Sequence, residues 1–432
     1  MLKEQHRLVT SDLQFGFKEK LSATLATAVV TETVDYYLNN EGSVYGLALD
    51  ATKAFDRVQY EKLFSMLIDR KCNIYLVRLL LNMYENQTLK VRFNSVLSNT
   101  FGVSNGVKQG GILSPTLFTC YIDGMLSELQ HSKLGCHVGD TYTGCVSYAD
   151  DLVLLAPSLT ALKGMIHICE NYASKHYIQF NGKKSQLIVF DKKYSHQREP
   201  SVCVNGARVE VVQSLKYLGH LLINDRSNSM TEYVRRDFIK KSNAFLCDFK
   251  NITSVVKHDL FEKYCYAFYG INLCDFESDD FHILYKDWRK LVRRIWNIPY
   301  RSHCDLLPHV AECVPPNVFM PQRFINFFYA GLYCKNDVVR NIFKMSMLSD
   351  SRIGNNVRYI LSKIGYSVND IYTLSPAQIT KNVLHDWARN VAESDIAKGY
   401  QIRELVHERD SLSKWLLNTH ECQMLINVLS TD

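Results

Sequence analysis

The chain has 432 residues, 47% hydrophobic and 22% charged, which excludes a disordered polymer and exceeds what one hydrophobic core organises, so two or more subdomains are expected. Fifty Lys+Arg against 44 Asp+Glu leave a net charge of +6, which permits a polyanionic partner without demanding one. Thirteen scattered cysteines without a C-x-x-C pair exclude a disulfide framework and a zinc ribbon, and a charged start with no bilayer-length apolar run predicts an intracellular protein, in nucleus or cytoplasm, without a membrane segment.

Taken in chain order, Leu21, Leu25, Val29, Thr33 and Tyr36 recur at helical spacing, and Asn39-Asn40-Glu41-Gly42 ends the pattern. VYGLALD, Val44 to Asp50, reads as a short buried strand whose first strong charge is its last residue. Asp56-Arg57-Val58-Gln59 has the form of a capping box, and Leu63, Met66, Leu67 and Leu76 to Leu80 continue a helical face. In GVKQGGILSPTLFTCYIDGMLSELQ a glycine-rich loop precedes a helix, with Ser114 as N-cap, Pro115 at the first position and an apolar stripe from Leu117/Phe118 to Leu129.

GCVSYADDLVLLAPS then reads as strand, tight turn, strand, with Asp150 and Asp151 at the hairpin tip. Residues 158–177 have helical periodicity, QLIVF (186–190) and VCVNGARVEVV (202–212) read as strands, and Asn205-Gly206 is a hairpin turn signal. Beyond about residue 228 the pattern is mostly helical, and Pro308 and Pro315-Pro316 suggest a boundary near 300–316.

An antiparallel sheet would bring the strand-end Asp50 beside the hairpin-tip Asp150 and Asp151. Carboxylates that close repel one another unless a hard, oxygen-preferring cation sits between them. Magnesium fits, since it binds through a few carboxylates and completes its shell with water and phosphate oxygens, and two such ions suit an in-line phosphoryl transfer. The plain alternative is that Asp150-Asp151 makes a polar turn and Asp50 caps the next helix.

LALDATKAFDRV, GVKQGGILSP, YADDLVLLA, FNGKKSQLIVF and SLKYLGHLL, in this order, resemble the successive motifs of reverse transcriptases, most closely those of non-LTR (LINE-like, jockey or RTE-type) retrotransposons. QFGFKEKLSAT resembles the segment that precedes those motifs, and WRKLVRRIWNIPYRS resembles their downstream helical part. The resemblance implies an α+β right-hand polymerase with a split βαβ (ferredoxin-like) palm, incomplete fingers, a helical thumb and a helical C-terminal region. In residue numbers, 1–43 is then a remnant of fingers, 44–212 the palm with an interleaved fingers segment, 213–300 the thumb and 301–432 the C-terminal helical region.

The same resemblance implies an RNA template, a DNA primer and deoxynucleoside triphosphates (dNTPs) as partners. Asp50, Asp150 and Asp151 would hold two Mg2+ ions, for which Mn2+ can substitute, and Lys184 would stand near the departing pyrophosphate. Phe55 would exclude a 2′-hydroxyl by its bulk, Gln109 and Gly110 would approach the nascent base pair, and Tyr217 to Gly219 would grip the primer. Residue types alone leave Phe55 open as a core aromatic, Lys183-Lys184 as a solvated turn and Tyr217 as an ordinary strand end.

YVRRDFIKKSNAFL and YKDWRKLVRRIW set Arg235, Arg236, Arg289, Arg293 and Arg294 against aromatic stripes, a pattern suited to phosphate tracking and equally to a packed stripe with a solvated back. His303, Cys304, His309 and Cys313 match no standard zinc spacing. Family members usually carry fingers strands and an endonuclease ahead of the QFGF segment, which here begins at Gln14. That departure leaves an active RNA-directed DNA polymerase as the first reading and a truncated, inactive fragment that at most binds nucleic acid as the second.

Overall fold

The computed structural model describes residues 8–108, 110–191, 200–224, 229–299, 307–311 and 313–393. It divides into two compact units, residues 1–225 with 334–345, and residues 226–333 with 346–432.

The first unit is built on a sheet. Helix α1 (Ala23–Asn39) starts at Ser22, whose side chain accepts the Leu25 amide, and ends where the periodicity does. It leads into strand β1 (Val44–Leu49). Three helices follow: α2 (Tyr60–Asp69), α3 (Ile74–Glu85) and α4 (Ser114–Ser132). The hairpin of β2 (Cys145–Tyr148) and β3 (Asp151–Ala156), helix α5 (Leu159–Lys175) and strand β4 (Gln186–Phe190) complete the core, with β5 (Glu210–Val212) at the edge.

The strand order is β5-β4-β1-β3-β2, with β4–β5 parallel and every other pair antiparallel. The β1–α4–β2 and β3–α5–β4 crossovers each leave room for one antiparallel strand between parallel ones, which is the ferredoxin-like arrangement. Consecutive burial of Leu152 through Ala156 means both faces of β3 are covered.

Two local expectations fail for identifiable reasons. The residues read as a capping box form instead a 3-10 turn (Phe55–Arg57), in which the Asp56 amide that a box would use donates to Lys53 O, and α2 starts after Gln59 without a side-chain cap. Ser114 is the first helical residue rather than the N-cap. Its hydroxyl donates to Lys108 O at 2.5 Å and so closes the glycine loop on itself.

Strands β6 (Ser214–Tyr217) and β7 (His220–Ile223), expected at the start of the thumb, belong to the first unit. Their side chains explain it: Tyr217 and His220 are buried, Tyr217 donates to Val146 O at 3.3 Å, and Thr27 Oγ1 on α1 contacts His220 Nδ1 at 3.1 Å. Cys334–Met345, expected in a C-terminal region, also folds with the first unit. There Asn336 Nδ2 donates to Asp12 O at 2.7 Å and Asn341 Nδ2 to Thr141 Oγ1 at 3.1 Å.

The second unit is helical. Its first part comprises α6 (Ser229–Asp248), α7 (Ser254–Cys265) and α8 (Asp279–Trp296), packed around Phe238, Phe261 and Trp288. Its later part includes α9 (Pro316–Leu332), α10 (Arg352–Lys363) and α11 (Pro376–Glu393). Among the described residues no helix is long and apolar enough to cross a membrane, and the described cysteines are all free.

Candidate active site

Three backbone devices deliver the carboxylates. Asp50 follows the last residue of β1, and its position is fixed by bonds to a neighbouring loop: its amide donates to Ser185 Oγ at 3.1 Å and its carbonyl accepts from Asn181 N at 2.8 Å. Asp150 occupies the two-residue turn between β2 and β3, which pairs Tyr148 with Asp151. In the β1–β3 register Leu49 faces Leu152, so the next step sets Asp50 across from Asp151.

Electrostatics report the same convergence. Burial, and then the Asp50 charge, push the Asp150 carboxyl above the usual carboxylate range. Burial, then Asp150, then Asp50 do the same to Asp151. Among the described residues, these three do not form a group whose oxygens all lie within 4.8 Å of one another. An all-oxygen, mutually repelling donor set at one sheet end is what a divalent cation would relieve.

The surroundings sort the remaining expected residues. The Phe55 ring is half-buried beside this sheet end, stacked on Phe118 at 4.2 Å between centroids and edge-on to Phe17. Lys184 is exposed in the Asn181–Ser185 turn that pins Asp50. Gly110 is exposed with φ +76, and a Cβ there would meet nothing within 4 Å, whereas Gln109 lies outside the described residues. Gly219, with Leu218, makes the β6–β7 turn at positive φ. Tyr217 is the exception in this group: its ring is buried under the sheet, so the turn rather than this side chain faces outward.

The basic helices divide likewise. Arg235 is tied to Asp287 on α8 at 2.6 Å, and Arg293 is only 8% exposed, so neither is offered as a surface cation. For Arg235 the cause is Asp287, a buried acid on α8 that a one-helix reading sets aside; for Arg293 it is burial within the packed helices. Arg236 and Arg294 are exposed, though Arg236 pairs with Glu232 and Arg294 contacts Asn243, and Arg289 stacks over Tyr285 at 4.6 Å.

Of the cysteine and histidine group, His303 and Cys304 lie outside the described residues. Cys313 instead meets His258 and Glu262 of α7. Trp296 Nε1 donates to His258 Nδ1 at 3.3 Å, which leaves the neutral ring's proton on Nε2, the wrong tautomer for Nε2 to bind a metal.

One functional neighbourhood escaped the reading of residue types. Gln14, fully buried, sits against the aspartate-bearing turn and bonds to Ser147 and Ala149. The QFGF motif was the only signal for it.

Comparison with known proteins places this geometry. Residues 1–222 match the family described as reverse transcriptase (RNA-dependent DNA polymerase). A retrovirus-related Pol polyprotein from the type-2 retrotransposable element R2DM of Drosophila melanogaster is 31% identical over 142 residues, 33% of this chain and 13% of that protein. The RNA-directed DNA polymerase from mobile element jockey, also of Drosophila melanogaster, is 25% identical over 227 residues, 51% of this chain and 24% of that protein. The structure of apo telomerase from Candida tropicalis aligns over 89% of this chain and 60% of its own at 12% identity, with a TM-score of 0.41. The chain thus spans between about an eighth and a quarter of these two curated relatives' length. With the motifs in order and the profile covering half of its residues, the chain belongs to the reverse transcriptase family.

Proposed function

We propose that this chain carries the RNA-directed DNA polymerase centre of a non-LTR retrotransposon. The observation that supports it most is the register that sets Asp50 across from the Asp150-Asp151 turn. In this reading the ferredoxin-like sheet is the palm, α2, α3 and the loop before α4 belong to the fingers, and α6 to α8 form the thumb.

Asp50, Asp150 and Asp151 would hold two divalent ions, magnesium by their oxygen donors. When bound, such ions neutralise charge on both oxygens exchanged at the phosphorus. The residues of the chain do the rest. Ser185 and Asn181 keep Asp50 in place. The Phe55 ring, backed by Phe118, closes the space a ribose 2′-hydroxyl needs, so deoxynucleotides are selected. Lys184 stabilises charge on the departing pyrophosphate.

A primer 3′-hydroxyl attacks the α-phosphorus of the dNTP, one P–O bond forming as the bond to pyrophosphate breaks, while the RNA template directs the choice. The Leu218-Gly219 turn supports the primer end, and Gln109-Gly110 lies along the new base pair. Exposed Arg236 and Arg294 and half-buried Arg289, with Lys286 and Lys290, give the duplex backbone cationic neighbours and make binding weaken with salt.

The test is extension of a DNA primer on an RNA template with magnesium. Asp150→Asn is expected to reduce it roughly a thousandfold or more, about 4 kcal/mol of barrier, with far-UV circular dichroism unchanged. Extension by that variant at the parental rate, or none by the parental chain, overturns the reading.

A further inference from the structure

The turn between β2 and β3 carries a contradiction. Its first residue, Ala149, sits at φ +58, a conformation that strains an L-residue with a Cβ and that glycine adopts freely. The residue after it is one of the carboxylates on which the proposed chemistry depends. Something outside the hairpin must keep Ala149 there.

That support comes from a strap more than a hundred residues upstream. Leu13 to Gly16 runs alongside β2: Ser147 N donates to Leu13 O at 2.9 Å, Phe15 N donates to Ser147 O at 2.8 Å, and Gln14 and Ser147 form a parallel bridge. Gln14 Oε1 accepts from Ala149 N at 3.0 Å and from Gly16 N at 2.8 Å. Gln14 Nε2 donates to Ser147 Oγ at 3.1 Å, and Ser147 Oγ donates to Ala149 O at 3.1 Å.

Both backbone groups of Ala149 are therefore held, its N–H by Gln14 directly and its C=O by Gln14 through Ser147. Gln14 and Ser147 are each 0% exposed, so water does not compete for these bonds. The approach is close enough to demand glycine at position 16, where a Cβ would lie 2.5 Å from Ala149 N.

The residue type is informative. The amide offers an acceptor for the Ala149 N–H and a donor for the Ser147 hydroxyl on one planar group. Glutamate lacks the donor and would bury a fourth negative charge beside Asp50, Asp150 and Asp151. Asparagine is one methylene too short to span the same atoms.

We propose that Gln14 is the positioning residue of the aspartate turn, holding Ala149 left-handed so that Asp150 and Asp151 stay directed at Asp50. The inference rests on the site assignment above, and its test separates the two. The probe is Mn2+ binding to the full chain, followed by electron paramagnetic resonance, beside primer extension.

Gln14→Met keeps the volume and removes the bonds. It is expected to weaken Mn2+ binding by about 10–100-fold and to lower kcat while the KM for primer–template holds, as when an orienting partner of a metal ligand is lost. Ala149→Gly is the decisive second change, because glycine takes positive φ unaided. In the Gln14→Met background it should recover part of the lost Mn2+ affinity, a rescue that general loosening of the core would not give. If Gln14→Met does not fold, Ser147→Ala, which removes only the relay to the Ala149 carbonyl, is measured instead and should weaken Mn2+ binding several-fold.

Parental Mn2+ binding in Gln14→Met, or in Ser147→Ala where that replaces it, overturns the positioning role. So does a Gln14→Met defect that Ala149→Gly leaves unchanged. Mn2+ binding that survives Asp150→Asn, or is absent from the parental chain, overturns the site assignment itself and this inference with it.

Discussion

Two tight hairpin turns stand near one another in the first unit, and they are held in opposite ways. The β6–β7 turn uses Leu218 at φ +48 and Gly219 at φ +81, and it is anchored by its own flanking side chains, Tyr217 and His220, both buried. The β2–β3 turn places alanine where φ is positive and a carboxylate next to it, and its anchors come from a distant segment. The first turn has glycine at one of its two positive-φ positions and is held through the side chains that flank it. The second has no glycine, and its strained backbone is itself held by bonds from a distant segment.

The sharpest way to break this comparison is Gly16→Ala. The added methyl would meet Ala149 N at 2.5 Å, so the strap or the turn must shift. A stability loss of about 2–3 kcal/mol in chemical denaturation is expected, with primer extension falling further than stability alone accounts for. A similar change at Gly102, where a Cβ meets nothing within 4 Å and φ is not positive, provides the steric contrast.

The second hairpin is tested by pH. Burial lowers the His220 pKa from 6.5 to about 4, so the folded protein keeps this ring neutral where the unfolded chain protonates it. The stabilising contribution is complete above pH 6.5 and is lost as the pH falls toward about 4. On the order of 2–3 kcal/mol is expected from this group, read as a fall in unfolding midpoint that His220→Gln flattens.

The smallest effect joins the hairpins. Tyr217→Phe removes the hydroxyl that donates to Val146 O, leaving a buried carbonyl short of a donor, at about 1 kcal/mol in thermal unfolding. If the loss appears in stability with no change in primer affinity, Tyr217 acts inside the fold and the turn beyond it meets the primer.

The sequence made legible whatever depends on neighbours in the chain. The periodicity of α1 and α5, the strand ending at Asp50 and the hairpin around Asp150-Asp151 follow from local pattern, and their order carried the family resemblance. The helix starts near Gln59 and Ser114 were misplaced because the groups a cap would use bond within the preceding turns, the Asp56 amide to Lys53 O and the Ser114 hydroxyl to Lys108 O. Arg235 and Arg293 read as surface cations because Asp287 lies on another helix from Arg235 and because burial depends on packing that one helix does not reveal. Gln14 reads as an ordinary polar residue until the partner 133 positions away is known.

The strap has a second tether. Asp12 accepts from Asn336 through its carbonyl and from the Asp337 amide through Oδ2, in the segment 334–345 that folds with the first unit. During synthesis, then, the first 225 residues emerge before one of the pieces that belongs with them, and the intervening stretch to Tyr333 must be translated first. A nascent chain released before that point exposes the seat meant for Cys334–Met345, which makes this the stage at which a chaperone would engage it.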